Sequence, residues 1–165
     1  MRVEQKIASL LKGSGMTLSA AESCTGGMIS HMITTVSGSS GYYLGSVTSY
    51  AISVKESVLG VADTVIKEHG VVSAEVAAAM AEGVRKLTGS TFSVATTGLA
   101  EGGDGHYPEG TVWIATSGPD GTRTILYRCD LGRKANIRRF ATVALNFITR
   151  HITEYKSAHK TILSE

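Results

Sequence analysis

A chain of 165 residues, 42% hydrophobic and 18% charged, is sized for one domain with a substantial core, and no apolar run approaches the roughly 20 residues that span a bilayer, so membrane insertion is not expected. The formal charge of +2 is small, and the one basic cluster, Arg133, Lys134, Arg138 and Arg139, lacks the breadth and interleaved aromatics of a nucleic-acid interface. Two cysteines, Cys24 and Cys129, make neither a disulfide scaffold nor a zinc pattern, and the first residues lack a signal-peptide core, so reduced thiols, no metal and a cytoplasmic location are expected.

Ile7, Leu10 and Leu11 share one face of a helix predicted over Val3 to Leu11, with Gly13 as its stop. A short strand over Thr17 to Ala20 then runs into AESCTGG, Ala21 to Gly27. Met28, Ile29, Met32, Ile33 and Val36 repeat at amphipathic helical spacing, which puts this motif at the head of a second helix. After SGSSG, Ser37 to Gly41, the β-branched and aromatic run YYLGSVTSYAI reads as a strand ending near Tyr50. Ser53 and Glu56 have the spacing of a capping box, which places Lys55 in the first turn of a short helix ending near Gly60. Another helix spans about Asp63 to His69, and Ser73 caps a long alanine-rich one to about Leu87.

FSVATTG, Phe92 to Gly98, reads as a buried strand that opens into the glycine-rich loop LAEGGDGHYPEG. GTVWIATSG and TRTILYRC flank Pro119-Asp120-Gly121 as two paired antiparallel strands. The last helix, about Lys134 to His151, carries Ile137, Phe140, Ala144 and Ile148 on one stripe. Helices on both sides of a mixed sheet follow, an α/β fold, with a core of about 4–152 and a polar tail from 153 to 165 expected to fray.

The turn after the first strand is where chemistry concentrates. The first N–H groups of a helix favour negative charge. They serve either to hold a phosphate or to stabilise the oxyanion formed when a serine such as Ser23 attacks a carbonyl. Cys24 is a second candidate nucleophile, because a helix N-terminus favours a thiolate. No histidine falls into an evident triad: His31 lies within the second helix, His69 at a helix stop, and His151 and His159 at or past the last helix, while His106 in the glycine loop stays possible. Lys55 is the remaining base, provided that its pKa falls well below about 10.4, and a helix start beside an apolar strand gives a reason for that. The plainer alternatives are a surface Lys55, a sheet-edge Tyr50, Ser23 as an N-cap and Cys24 as a small core residue.

AESCTGG at Ala21 to Gly27, GSS at Gly38 to Ser40, Tyr50 with Lys55 five positions on, LGV at Leu59 to Val61, HGVVS at His69 to Ser73, Thr97-Gly98 and GTVWIA at Gly110 to Ala115 together resemble the CinA C-terminal domain family. The resemblance covers about residues 4 to 152 and implies a three-layer α/β/α sandwich. It also implies a nicotinamide mononucleotide deamidase that uses a Ser23–Lys55 pair and no cofactor, with Tyr50 orienting the lysine or binding substrate. By the same resemblance Cys24, Thr25, Gly26, Gly27, Ser40, Thr97 and Gly98 line the substrate site, N–H groups near Thr25 to Gly27 hold the oxyanion, and Arg138 takes the phosphate. The separate N-terminal domain of full-length relatives is absent from this sequence. An exposed strand edge and the alanine-rich helix suggest a homodimer. The chain departs from the family pattern in TGLAEGGDGHYPEGTVW, which sets Glu101 in the loop, where a negative charge opposes a nucleotide phosphate; Tyr107 precedes Pro108, and Gly45-Ser46 and Ala51-Ile52 are further departures.

Overall fold

The computed structural model describes residues 1–160. In chain order it contains α1 (Val3–Leu11), β1 (Leu18–Glu22), α2 (Met28–Thr34), β2 (Tyr43–Thr48), α3 (Ile52–Ser57), α4 (Asp63–His69), α5 (Ala74–Thr88), β3 (Phe92–Leu99), β4 (Thr111–Gly118), β5 (Gly121–Arg128) and α6 (Arg133–His159). The strands form one sheet in the order β2-β1-β3-β4-β5. β1 runs parallel to both β2 and β3, whereas β3–β4 and β4–β5 are antiparallel. The sheet is therefore mixed.

Two apolar clusters, one on each face, hold the layers together. Leu18, Ala20, Phe92 and Val94 pack with residues of α1, α2 and α6, while Ala21 and Ala95 pack with residues of α5. Burial on both faces explains why β1 and β3 are written mostly in small and apolar residues instead of alternating with charge, with Glu22 at the end of β1 as the exception. Ala77 and Ala81 of α5 are fully buried against the sheet, whereas Ala74, Ala78 and Ala79 are partly exposed. β2 and β5 are the two edge strands of the sheet.

Topology locates the crevice. From β1, the central one of the three parallel strands, the chain crosses through α2 to β2 on one side, then through α3, α4 and α5 to β3 on the other. Where parallel strands diverge in this way, a crevice opens beyond their C-terminal ends. Ser23 follows the C-terminal end of β1 directly, so the turn singled out in the sequence lies at that switch point.

Several boundaries differ from the sequence expectation. β1 extends to Glu22, which draws the motif's glutamate into the sheet. No capping box forms at Ser53: the helix starts at Ile52 with Ala51 as its cap and no side-chain cap bond, so Lys55 is the fourth of its six residues and not in its first turn. Ser73 does cap α5, accepting from the Val76 N–H at 3.2 Å. The expected fraying from 153 onward is corrected as far as residue 159, because α6 continues there. Tyr155 packs edge-on against Phe92 at 5.3 Å and Lys156 Nζ donates to the Leu10 carbonyl at 2.8 Å, which hold those turns on the sheet and on α1. The rest of the expected tail, 161–165, lies outside the described residues.

Candidate active site

The pleat of β1 sends neighbouring side chains to opposite faces. Glu22 turns toward α2 and Ser23 toward the α3–α5 side. The Glu22 side chain is fully buried, and its Oε1 accepts from the Ser30 N–H at 2.8 Å. Its Oε2 accepts from the N–H groups of Gly27 (3.1 Å) and Ile29 (3.0 Å) and from the Thr25 hydroxyl (2.7 Å). Thr25 is itself 2.8 Å from the Thr96 hydroxyl of β3. The free donors at the mouth of α2 are thus satisfied from within the chain. Gly27 makes this possible through a left-handed backbone, φ +99°, that a side chain disfavours.

Ser23 is held from below, its own N–H donating to the Thr96 carbonyl at 3.1 Å. Lys55 reaches it across the crevice, with Nζ 3.0 Å from Ser23 Oγ. The same amine lies 2.5 Å from the Ser49 carbonyl and 3.5 Å from that of Tyr50. Lys55 is only 1% exposed, and among the described residues it forms no ion pair. Burial pushes its pKa below the ordinary lysine value, since no carboxylate stands by to offset the loss of water. The cause is desolvation; the helix-start argument from the sequence does not apply to the fourth residue of α3. An uncharged amine here directs two N–H groups at the two carbonyls and leaves its lone pair for the Ser23 hydroxyl.

A cavity of about 270 Å³ opens over this pair. Ser23, Cys24, Tyr50, Lys55, Thr97 and Gly98 of the expected residues line it, and so do Val71, Val72, Glu101 and Arg133. Gly98 is required by close packing as well, because a Cβ there would stand 2.4 Å from the Thr111 carbonyl oxygen of β4. The Tyr50 phenol does not touch the lysine. Its ring is 63% exposed and its hydroxyl accepts from Arg133 Nη2 at 3.1 Å.

Other expected members lie elsewhere. Arg138 lines a separate groove of about 570 Å³ between α1, α2 and α6, with His31 and Met32, because it falls on a different face of α6 from Arg133. Arg133, the first residue of that helix, is the arginine at the Ser23 cavity. Ser40 is exposed in the turn that leads into β2; since β2 is parallel to β1, that turn is at the opposite end of the sheet from Ser23. Thr25, Gly26 and Gly27 sit behind the serine and do not line the cavity. The Gly26 N–H donates to the Ser23 carbonyl at 3.0 Å and that of Gly27 to Glu22 at 3.1 Å, so neither is free for an oxyanion.

No histidine lines the cavity. His106 caps nothing there and packs edge-on against Tyr107, while His151 is bound between Thr116 (2.8 Å) and Asp120 (2.7 Å). Burial pushes the Cys24 thiol up to about 12, which keeps it protonated near neutrality and removes the thiolate alternative. Cys24→Ala is accordingly expected to keep turnover within about threefold of the parent, since a buried S–H contributes only contact; loss of more than a hundredfold in an ammonia-release assay would reinstate the thiol.

Arg133 and Glu22 are the two contributors that sequence reasoning missed. A carboxylate three residues before a threonine and five before a helix-starting glycine was the available signal for Glu22. For Arg133 the signal was its position just after Gly132, at the start of a helix that follows the sheet.

Together these features define a three-layer α/β/α domain with a buried serine–lysine pair at its switch point. The chain belongs to the CinA C-terminal domain family, whose sequence profile matches residues 1–152. A CinA-like protein of Salinibacter ruber is 43% identical over 92% of the chain, and one of Desulfosudis oleivorans 42% identical over 92%. The chain spans only 37% and 38% of the lengths of these two relatives. Among solved structures, a competence damage-inducible protein A (ComA) of Klebsiella pneumoniae superposes with a TM-score of 0.88 at 26% identity, over 92% of this chain and 95% of that one. The competence/damage inducible protein CihA of Agrobacterium tumefaciens gives 0.80 at 30% identity, over 88% and 93%. Among the described residues no helix is long and apolar enough to cross a membrane.

Proposed function

We propose that the chain is an amidohydrolase that cleaves a small carboxamide, with nicotinamide mononucleotide as the first substrate to assay. The observation that carries this reading is the buried Lys55 amine, 3.0 Å from the Ser23 hydroxyl and without a counter-charge. Ser23 Oγ attacks the amide carbon while Lys55 Nζ takes its proton. The tetrahedral intermediate collapses as Lys55 returns that proton to the departing nitrogen, so that ammonia leaves and the acyl group stays on Ser23. Water, deprotonated by the same amine, then releases the acid and restores the hydroxyl. Of the turn's N–H groups, those of Cys24 and Thr25 have no acceptor among the described residues, and that of Cys24, which lines the cavity, is the one to hold the oxyanion. Arg133, and not Arg138, is the cation at the cavity mouth.

The test is an ammonia-release assay over pyridine nucleotides and simple amides. Ammonia from one of them, absent with Ser23→Ala, is the expected result. Nucleotide binding by calorimetry without ammonia at high protein concentration would instead make the chain a binding module.

A further inference from the structure

Glu101 stands on the rim of the Ser23 cavity, in the loop that follows β3, with Oε2 3.6 Å from Arg133 Nη1. The same guanidinium donates from Nη2 to the Tyr50 hydroxyl. Carboxylate, guanidinium and phenol thus form a chain across the mouth, joining the glycine-rich loop, the start of α6 and the segment between β2 and α3. The Glu101 and Arg133 side chains are 63% and 50% exposed, so an arriving ligand can readily part them.

We propose that Glu101 sets the charge class of the substrate: it competes with a phosphate for Arg133 and matches the mouth to an uncharged sugar hydroxyl. This inference rests on reading the cavity as a carboxamide site. Lys55 supplies no positive charge in its neutral form, so Arg133 is the one cation among the residues lining the cavity, and Glu101 cancels it. A phosphate dianion gains the guanidinium only by facing the carboxylate a few ångströms away. A hydroxyl uses both groups, donating to Glu101 and accepting from Arg133. The charges of the rim therefore discriminate weakly between a phosphorylated carboxamide and its riboside, and removing the carboxylate restores the discrimination.

Calorimetry in a Ser23→Ala background, with nicotinamide mononucleotide and nicotinamide riboside as probes, reads this directly. With Glu101 present, the two ligands are expected to bind within about tenfold of each other; Glu101→Gln is expected to tighten the mononucleotide roughly 3- to 30-fold, the range for one charge removed near a solvated dianion, and to leave the riboside within about twofold. The gain should shrink as salt is raised. An unchanged ratio, an equal gain for both ligands, or no binding of either ligand by either protein overturns the proposal. Ammonia release by the Ser23-containing protein is read separately. A shifted ratio without ammonia leaves the role of Glu101 standing and removes the hydrolase, whereas ammonia with an unshifted ratio does the reverse.

Discussion

Lys55→Met is expected to lower ammonia release by on the order of 10³-fold or more, with the fold retained. A positioned general base contributes about 10² to 10⁴, and in the proposed mechanism the amine serves twice, once in acylation and once in hydrolysis. Lys55→Arg should be as damaging. A guanidinium keeps the positive charge but stays protonated, so it cannot accept the Ser23 proton. Partial activity in the arginine variant would mean that Lys55 acts as a fixed cation and not as a base.

The same residue fixes two pH dependences. On the proposed mechanism the base acts in its neutral form, so activity is expected to rise with pH through the native Lys55 pKa, which burial places below the ordinary value near 10.4. Stability follows the same direction. Between the native pKa and the unfolded one the unfolded chain binds more protons than the folded one, so folding gains as pH rises through that window and loses as pH falls. In Lys55→Met both the activity limb and this part of the stability profile should vanish, the first by kinetics and the second by denaturant titration at several pH values.

Glu22→Ala is expected to cost about 3 kcal/mol or more, a fall in Tm of roughly 6 to 12 °C, because it strips the partners from three N–H groups and a threonine hydroxyl beside a buried helix start. Loss of alignment behind Ser23 should lower kcat as well. Glu22→Gln separates the effects: the amide oxygen keeps one side of the cluster, while its NH2 group opposes a backbone donor on the other. An intermediate Tm with a disproportionate loss of kcat is the expected pattern. If both variants melt like the parent, the carboxylate does not hold the turn.

How far the sequence reached depends on the range of the interaction. Local punctuation located α1, α4 and α5 to within a residue or so: Gly13 follows α1, Gly70 follows α4 and Ser73 caps α5. It also paired β4 with β5, because Pro119-Asp120-Gly121 is a local turn signal. The site was legible only where a motif and the topology coincide. Ser23 lies at the end of β1, and Lys55 was identified as the possible base by elimination among titratable residues. Of the two reasons for a lowered pKa, the helix start fails, because the chain enters α3 at Ala51 despite the capping-box spacing of Ser53 and Glu56, and desolvation beside the apolar strand is the one that acts.

Arg138 and Ser40 show the limit. Arg133 and Arg138 are five residues apart on one helix, and five residues of helix is about 500° of rotation, enough to turn one toward the Ser23 cavity and the other into the groove against α1 and α2. Ser40 precedes a strand parallel to β1, which fixes it at the far end of the sheet only once the strand order is known. The tail followed the same rule. Its polar composition is that of a fraying end, but Tyr155 and Lys156 find partners in Phe92 and Leu10, more than 60 residues away.

The direct test is the titration of Lys55 itself, by carbon NMR of protein carrying labelled lysine, with Lys55→Met to assign the resonance. A midpoint clearly below that of the surface lysines, and moved when Ser23 is replaced by alanine, is the expected result. Titration together with the surface lysines would mean that the amine beside Ser23 is a charged group near neutral pH, with no lone pair to take a proton.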